Sequence, residues 1–234
     1  MLSVVKSIAL QGLHGYLISI EVDISNGIPH FEIVGLPDAS VKESKERVKI
    51  AIKNIGIEFF SRKITVNLAP ANIRKEGSNL DLPIALGILI SSKGIDNPYL
   101  VEFLKDTIFI GELSLDGAVK KVNGILPICI EARKLGIKRI VLSKQNAKEA
   151  SIIEGLEIIP INNLREIIEY LNGEGYIEKE KTQKFIMQNH DKYNFDFSEV
   201  KGQENVKRAL EISAAGGHNC LLIRFSWFWK NNVS

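Results

Sequence analysis

Cysteine, histidine and tryptophan are scarce in this sequence, and the scarcity of the first two removes classes of function. The two cysteines, Cys129 and Cys220, lie 91 positions apart with no CxxC and no histidine at ligand spacing. A structural zinc site and a disulfide framework are therefore not expected, and a reducing compartment is the simplest setting. The four histidines, His14, His30, His190 and His218, sit in separate contexts with no HxxxH or HExxH, which excludes the helical zinc-hydrolase pattern. No one sign of charge dominates: 30 Lys and Arg face 28 Asp and Glu. A net charge of +2 in 234 residues is too balanced for a protein whose whole surface grips nucleic acid, and leaves room only for a local basic face. Long apolar runs are missing, so no membrane span is expected. The start, MLSVVKSIALQGLHGYLISIEV, alternates apolar and polar residues where a secretory leader would carry an unbroken apolar core, so the expected location is cytoplasmic. Both tryptophans fall within the last eight residues.

What is present reads as one globular domain followed by part of another. Strands are expected at Ser3–Ala9, Tyr16–Ile24 and His30–Val34, with Asn26-Gly27 turning between the last two. After Gly35-Leu36-Pro37, Asp38 is positioned to cap a helix whose apolar Val41, Val48, Ile52 and Ile55 share a face and which Gly56 closes. Its other face carries Lys42, Lys45, Lys49 and Lys53. Lys63–Leu68 alternates as a half-buried strand. Leu80–Ser92 is apolar nearly all round and must be a buried helix. A strand over Ile108–Leu115 is expected, then a helix over Ile125–Leu135, a strand at Arg139–Leu142, a helix at Asn146–Ile153, a strand at Glu157–Pro160 and a helix at Leu164–Leu171. Strands that come first and then mix with helices predict an α+β fold with one mixed sheet and helices mainly on one side. From Asn172 to about Asn194 the composition turns polar and charged, as in a linker. The remaining forty residues are too few to bury a core alone.

Few residues suggest chemistry by themselves. Ser78 precedes the buried helix, where a nucleophile could sit, but a helix-capping or loop serine occupies the same place. Gly111-Glu112-Leu113 and Asp116-Gly117 read as turn residues. In Phe195–Ile223 a helix follows Gln203 and ends at Gly216-Gly217. Cys220–Ile223 then reads as a buried strand, the element from which a phosphate-binding loop would begin.

Several blocks in order carry a resemblance: Gly35-Leu36-Pro37-Asp38 with Val41-Lys42-Glu43-Ser44 and Glu46-Arg47-Val48; Val66-Asn67-Leu68-Ala69-Pro70-Ala71 with Lys75-Glu76-Gly77; Asp81-Leu82-Pro83-Ile84-Ala85; and Gly111–Gly117. By these the chain resembles the ComM/YifB family of magnesium-chelatase-like AAA+ ATPases over almost its whole length. The resemblance implies a domain of Lon-protease-like fold over 1–172, a linker over 173–194, and the start of an AAA+ ATPase domain over 195–223. In Lon-type enzymes a serine opens the buried helix and a lysine opens the later one. Here those positions fall near Leu80 and Leu126, which can neither attack nor accept a proton. No protease activity is expected; the alternative is a divergent Ser/Lys hydrolase centred on Ser78. The resemblance also implies that Val200, Lys201, Gly202 and Gln203 lie near the adenine of ATP. Intact relatives are implied to use ATP and Mg, to form ring oligomers and to act on DNA in branch migration during natural transformation. Lys42, Lys45, Lys49, Lys53, Arg74 and Lys75 are the candidates for contact with DNA or a partner.

The tail departs from that pattern. Where G-x-x-x-x-G-K-[ST] should follow Ile223, the sequence reads Arg224-Phe225-Ser226-Trp227-Phe228-Trp229-Lys230-Asn231. Aromatic side chains replace the glycines whose backbone would curl round the phosphates. Tryptophan has one codon, TGG. Read one base later, Trp227 before a Phe codon must give GGT and Trp229 before a Lys codon must give GGA, both glycine. The remaining codons permit Gly-Ser-Pro-Gly-Ser-Gly-Lys-Thr-Met, a complete phosphate-binding loop. The expectation is that residues 224–234 are a frameshifted tail. The chain as it stands would then hold no cofactor, have no catalytic residue or ATPase activity, and possess no assured partner.

Overall fold

The computed structural model describes residues 2–58, 62–183 and 196–223, and the chain divides into two compact units, Met1–Phe185 and Ile186–Ser234. In the first unit the chain opens with a hairpin, β1 (Ser3–Gln11) and β2 (His14–Ser25), paired along the full length of β1 from Ser3↔Val22 to Gln11↔His14. β3 (His30–Val34) leads to α1 (Ala39–Asn54), and β4 (Lys63–Ala69) inserts between β3 and β2. Then follow α2 (Asp81–Ser91), α3 (Leu100–Lys105) and β5 (Thr107–Phe109). A small ladder of β6 (Glu112–Leu113) and β7 (Val119–Lys120) precedes α4 (Ile125–Lys134), β8 (Arg139–Ser143), α5 (Lys144–Ala150), β9 (Glu157–Ile161) and α6 (Leu164–Asn172). The seven-stranded sheet has the order β3-β4-β2-β1-β5-β8-β9. Its β4-β2 and β2-β1 pairs are antiparallel and the rest parallel, the mixed α+β arrangement expected.

Strand alternation sorts the interior into two cores. On one face Ile20, Val66, Phe109, Val141 and Ile159 meet α1, α2, α3 and α6. On the other, Ile8, Ile108, Ile140 and Ile158 meet α4 and α5. Four helices against two make the helices mainly, though not wholly, one-sided. α2 lies at the centre of the larger core and every one of its residues is buried. Gly87 lets it approach β2 closely, since a Cβ there would come within 2.6 Å of Val22 Cγ2. Ser3 Oγ donates to the Gly87 carbonyl at 2.7 Å, and Ser91 Oγ to that of Val22 at 2.7 Å.

Three expectations change in the first unit. The strand over Ile108–Leu115 is broken at Gly111, whose N–H donates to Asn79 O and whose carbonyl accepts from Leu82 N, both at 3.0 Å. With its backbone taken by the approach to α2, the chain leaves the sheet and builds the β6-β7 ladder round Asp116-Gly117. α3 has no counterpart in the sequence reading, because six residues show no helical period. The segment expected as linker from residue 173 begins packed on the first unit. Ile177 is 9% exposed, Glu180 N donates to Ile158 O at 3.0 Å, and Gln183 N to Ser151 O at 3.0 Å. The bridge Ile158↔Glu180 covers part of the outer edge of β9, an edge that would otherwise be open to pairing.

In the second unit Asp196 caps a 3₁₀ turn, Phe197–Glu199, and α7 spans Glu204–Gly216. The strand expected at Cys220–Ile223 does not form: these residues have no strand assignment, and Leu221 and Ile223 are about four-fifths exposed. A strand needs a paired neighbour and a core, and no described residue of this unit is buried.

Candidate functional site

The first unit concentrates its polar interior where α1 and α2 begin. Asp38 caps α1, its Oδ1 accepting from Val41 N at 2.8 Å. The preceding turn is held by Lys75 through both main chain and side chain. Lys75 N donates to Leu36 O at 3.1 Å and Asp38 N to Lys75 O at 3.0 Å. The ammonium donates to the carbonyls of Gly35, at 2.9 Å, and Pro70. Lys75 is 0% exposed, and burial holds its pKa below the usual lysine value. Among the described residues it has no carboxylate partner. The sequence placed Lys75 among the contacts for DNA or a partner; the structure removes it, because its charge is spent inside the protein. Arg74 is exposed, with Glu76 at 3.5 Å.

Beside this turn Arg47 reaches from α1 to the first residue of α2. Its Nε donates to Asp81 Oδ2 at 2.7 Å and its Nη2 to Asp81 Oδ1 at 3.1 Å. Leu113 N also donates to Asp81 Oδ2, at 3.1 Å. Asp81 is 0% exposed, and its hydrogen bond raises the Arg47 pKa. A bidentate guanidinium pair is the geometry that makes burial of a carboxylate tolerable. Sequence reasoning missed this pair, although a lone acid opening an apolar helix was a signal that a cation must meet it.

A cavity of about 260 Å³ lies next to the α2 entrance, lined by Ser78, Asn79, Glu112, Lys121 and Asn123 among others. Ser78 Oγ donates to the Glu112 carboxylate and does not cap α2, whose N-cap position is Leu80 and which has no side-chain cap. Neither an amine nor an imidazole is bonded to Ser78 among the described residues, so nothing in contact with it matches the lysine base of a Ser/Lys hydrolase. Leu80 is fully buried and Leu126 partly so.

The remaining candidates lie apart from that interior. Lys42, Lys49 and Lys53 are exposed and Lys45 half-buried on α1. In the second unit Val200, Lys201, Gly202 and Gln203 form the exposed stretch entering α7, with Gly202 at φ +70° and Gln203 at φ +59°. Arg224, Trp227, Trp229, Lys230 and Asn231, with the whole expected frameshift, lie outside the described residues. Among the described residues no group of His, Cys, Asp and Glu could hold a metal ion, and no helix is long and apolar enough to cross a membrane.

Comparison with known proteins follows this division of the chain. A family described as subunit ChlI of Mg-chelatase matches residues 20–146, and one described as magnesium chelatase, subunit ChlI, matches residues 196–225. Competence protein ComM of Haemophilus influenzae is 39% identical over 228 residues, covering 95% of this chain and 43% of the relative. The YifB protein of Escherichia coli is 40% identical over 222 residues, covering 95% of this chain and 42% of the relative. Lon protease 2 of Bacillus subtilis is 26% identical over 186 residues, 71% of this chain and 32% of the relative. The chain thus spans under half the length of the ComM and YifB proteins it matches. On these matches the chain belongs to the magnesium-chelatase ChlI-like family of AAA+ ATPase type, in its ComM/YifB branch.

Proposed function

We propose that this chain is the front part of a magnesium-chelatase-like AAA+ ATPase that works on DNA: a Lon-like module over 1–172, a connection over 173–194, and the entrance to the nucleotide-binding domain from 195. The observation that carries this reading is the order of the two family matches, 20–146 and then 196–225, in a chain that aligns over 95% of its length with ComM. In this reading the Lon-like module does no proteolysis, since Leu80 and Leu126 occupy the dyad positions and Ser78 is engaged by Glu112. It serves to engage substrate or partner. The whole protein acts as a ring oligomer on DNA during uptake or recombination.

ATP and Mg do not fit the residues present. The four residues that should lead into the phosphate loop are exposed and outside any strand. The sequence after them, Arg224–Ser234, contains no glycine and so lacks the G-x-x-x-x-G-K-[ST] pattern of a phosphate-binding loop. The chain in this form does not hydrolyse ATP, and the cause we propose is a one-base insertion near the Ile223–Arg224 junction. The nucleotide sequence of that junction tests it. The account expects a TCN codon for Ser226 and a shifted frame that runs on as open sequence encoding G-x-x-x-x-G-K-T; an AGY codon, or an early stop in the shifted frame, refutes it.

A further inference from the structure

The lysines of α1 form a narrow row. At about 100° per residue, positions 42, 45, 49 and 53 fall within about 80° of arc, and at about 1.5 Å per residue they span about 16 Å. The row borders the buried face formed by Val41, Val48 and Ile52. Where it meets the sheet, Lys45, Lys49 and Lys53 line a groove of about 740 Å³ together with Arg62, which precedes β4, and with Ile57 and Ile64. None of Lys42, Lys45, Lys49, Lys53 and Arg62 has an ion pair among the described residues. Arg47, Arg74, Lys138 and Lys179, by contrast, each have a carboxylate within 4 Å. Glu46 and Glu58 also line the groove, so the excess is positive but modest. Cations repeated about once per helical turn, beside the half-buried apolar side chain of Ile57, complement a chain with an anion on every unit and a flat apolar face between anions. Such a chain is a nucleic-acid strand.

We propose that α1 and Arg62 bind the phosphodiester backbone of one nucleic-acid strand, with sugars and bases against the half-buried Ile57. The contact set differs from the one legible in the sequence: Lys75 leaves it because it is buried, and Arg62 enters it because β4 brings it to α1. The inference rests on the DNA-acting reading above only for the identity of the polyanion.

The test is binding of the full chain to a fluorescent twenty-nucleotide oligothymidylate, followed by anisotropy across a salt series. The double-logarithmic plot of affinity against salt should have a slope of about −3, at about 0.7 per phosphate contact on a single strand. The triple variant Lys45→Gln, Lys49→Gln, Lys53→Gln should bind at least about tenfold more weakly, with a slope about 2 shallower, and should melt as the unsubstituted chain does. Lys144→Gln with Lys148→Gln, on α5 against the other core, should bind normally. The proposal is overturned if the unsubstituted chain does not bind at about 50 mM salt, or if the triple variant keeps the full slope. It is also overturned if polyglutamate displaces the oligonucleotide at equal charge, which would mark an acidic protein as the partner. ATP hydrolysis by a frame-restored chain reports separately on the family reading, so the two failures cannot be confused.

Discussion

Lys75 shows how far a side chain's role is legible from its letter. In the sequence it stands in Arg74-Lys75-Glu76, a charged triplet that reads as surface, and only the fold reveals that the alternate residues Arg74 and Glu76 pair outside while Lys75 turns in. Burial lowers its pKa, so the unfolded chain binds this proton more tightly than the folded one. Stability from this group therefore rises with pH from its lowered folded value up to the unfolded value near about 10.4. Urea midpoints of the natural chain and of Lys75→Met should show it: the natural chain gains on the variant as the pH rises toward the unfolded value of about 10.4, and a constant difference would contradict the assignment. Cys129 makes the opposite case. It lies in the smaller core and burial pushes its thiol up to about 12, whereas Cys220 is exposed. One thiol per native chain should react with a disulfide reagent at neutral pH, and Cys129 only after unfolding.

Among elements, periodicity exposed what packing repeats and concealed what packing does once. α1, α4 and the first two strands were readable because each buries a regular face several residues long, and α2 because it is apolar all round. α3 and the break at Gly111 were not, since one is too short for a period and the other depends on hydrogen bonds to Asn79 and Leu82, distant in sequence. The Arg47–Asp81 pair joins α1 to α2 in the same non-local way. Arg47→Ala should cost about 3–5 kcal/mol, because it strands a buried carboxylate. Asp81→Asn should cost less, since the amide keeps an acceptor for Leu113 N. Chemical denaturation of the two variants ranks them; an Arg47→Ala loss below that of Asp81→Asn would mean that the pair carries little of the α1–α2 contact.

For the molecule as a whole, the α+β class and its mixed sheet were legible because a run of strands opens the chain and helices and strands mix only afterwards through the first 172 residues. The candidate site was less so. Residue identities argued against a protease dyad, but the engagement of Ser78 by Glu112 and the approach of Arg62 to the lysine row are facts of topology. The tail poses a different problem, and the reading we propose for it rests on codons rather than on folding physics. Its tryptophans, odd as protein sequence, become the glycines of a phosphate loop when read one base later. The central proposal is that this chain is the front part of an AAA+ ATPase interrupted at that loop. Its most direct measurement is ATP hydrolysis by two purified proteins, the chain as it stands and the product of the same gene with the extra base removed. The account predicts no turnover above background from the first and Mg-dependent turnover from the second. Hydrolysis by the chain as it stands, or a frame-restored product that neither binds nor hydrolyses ATP, would contradict it.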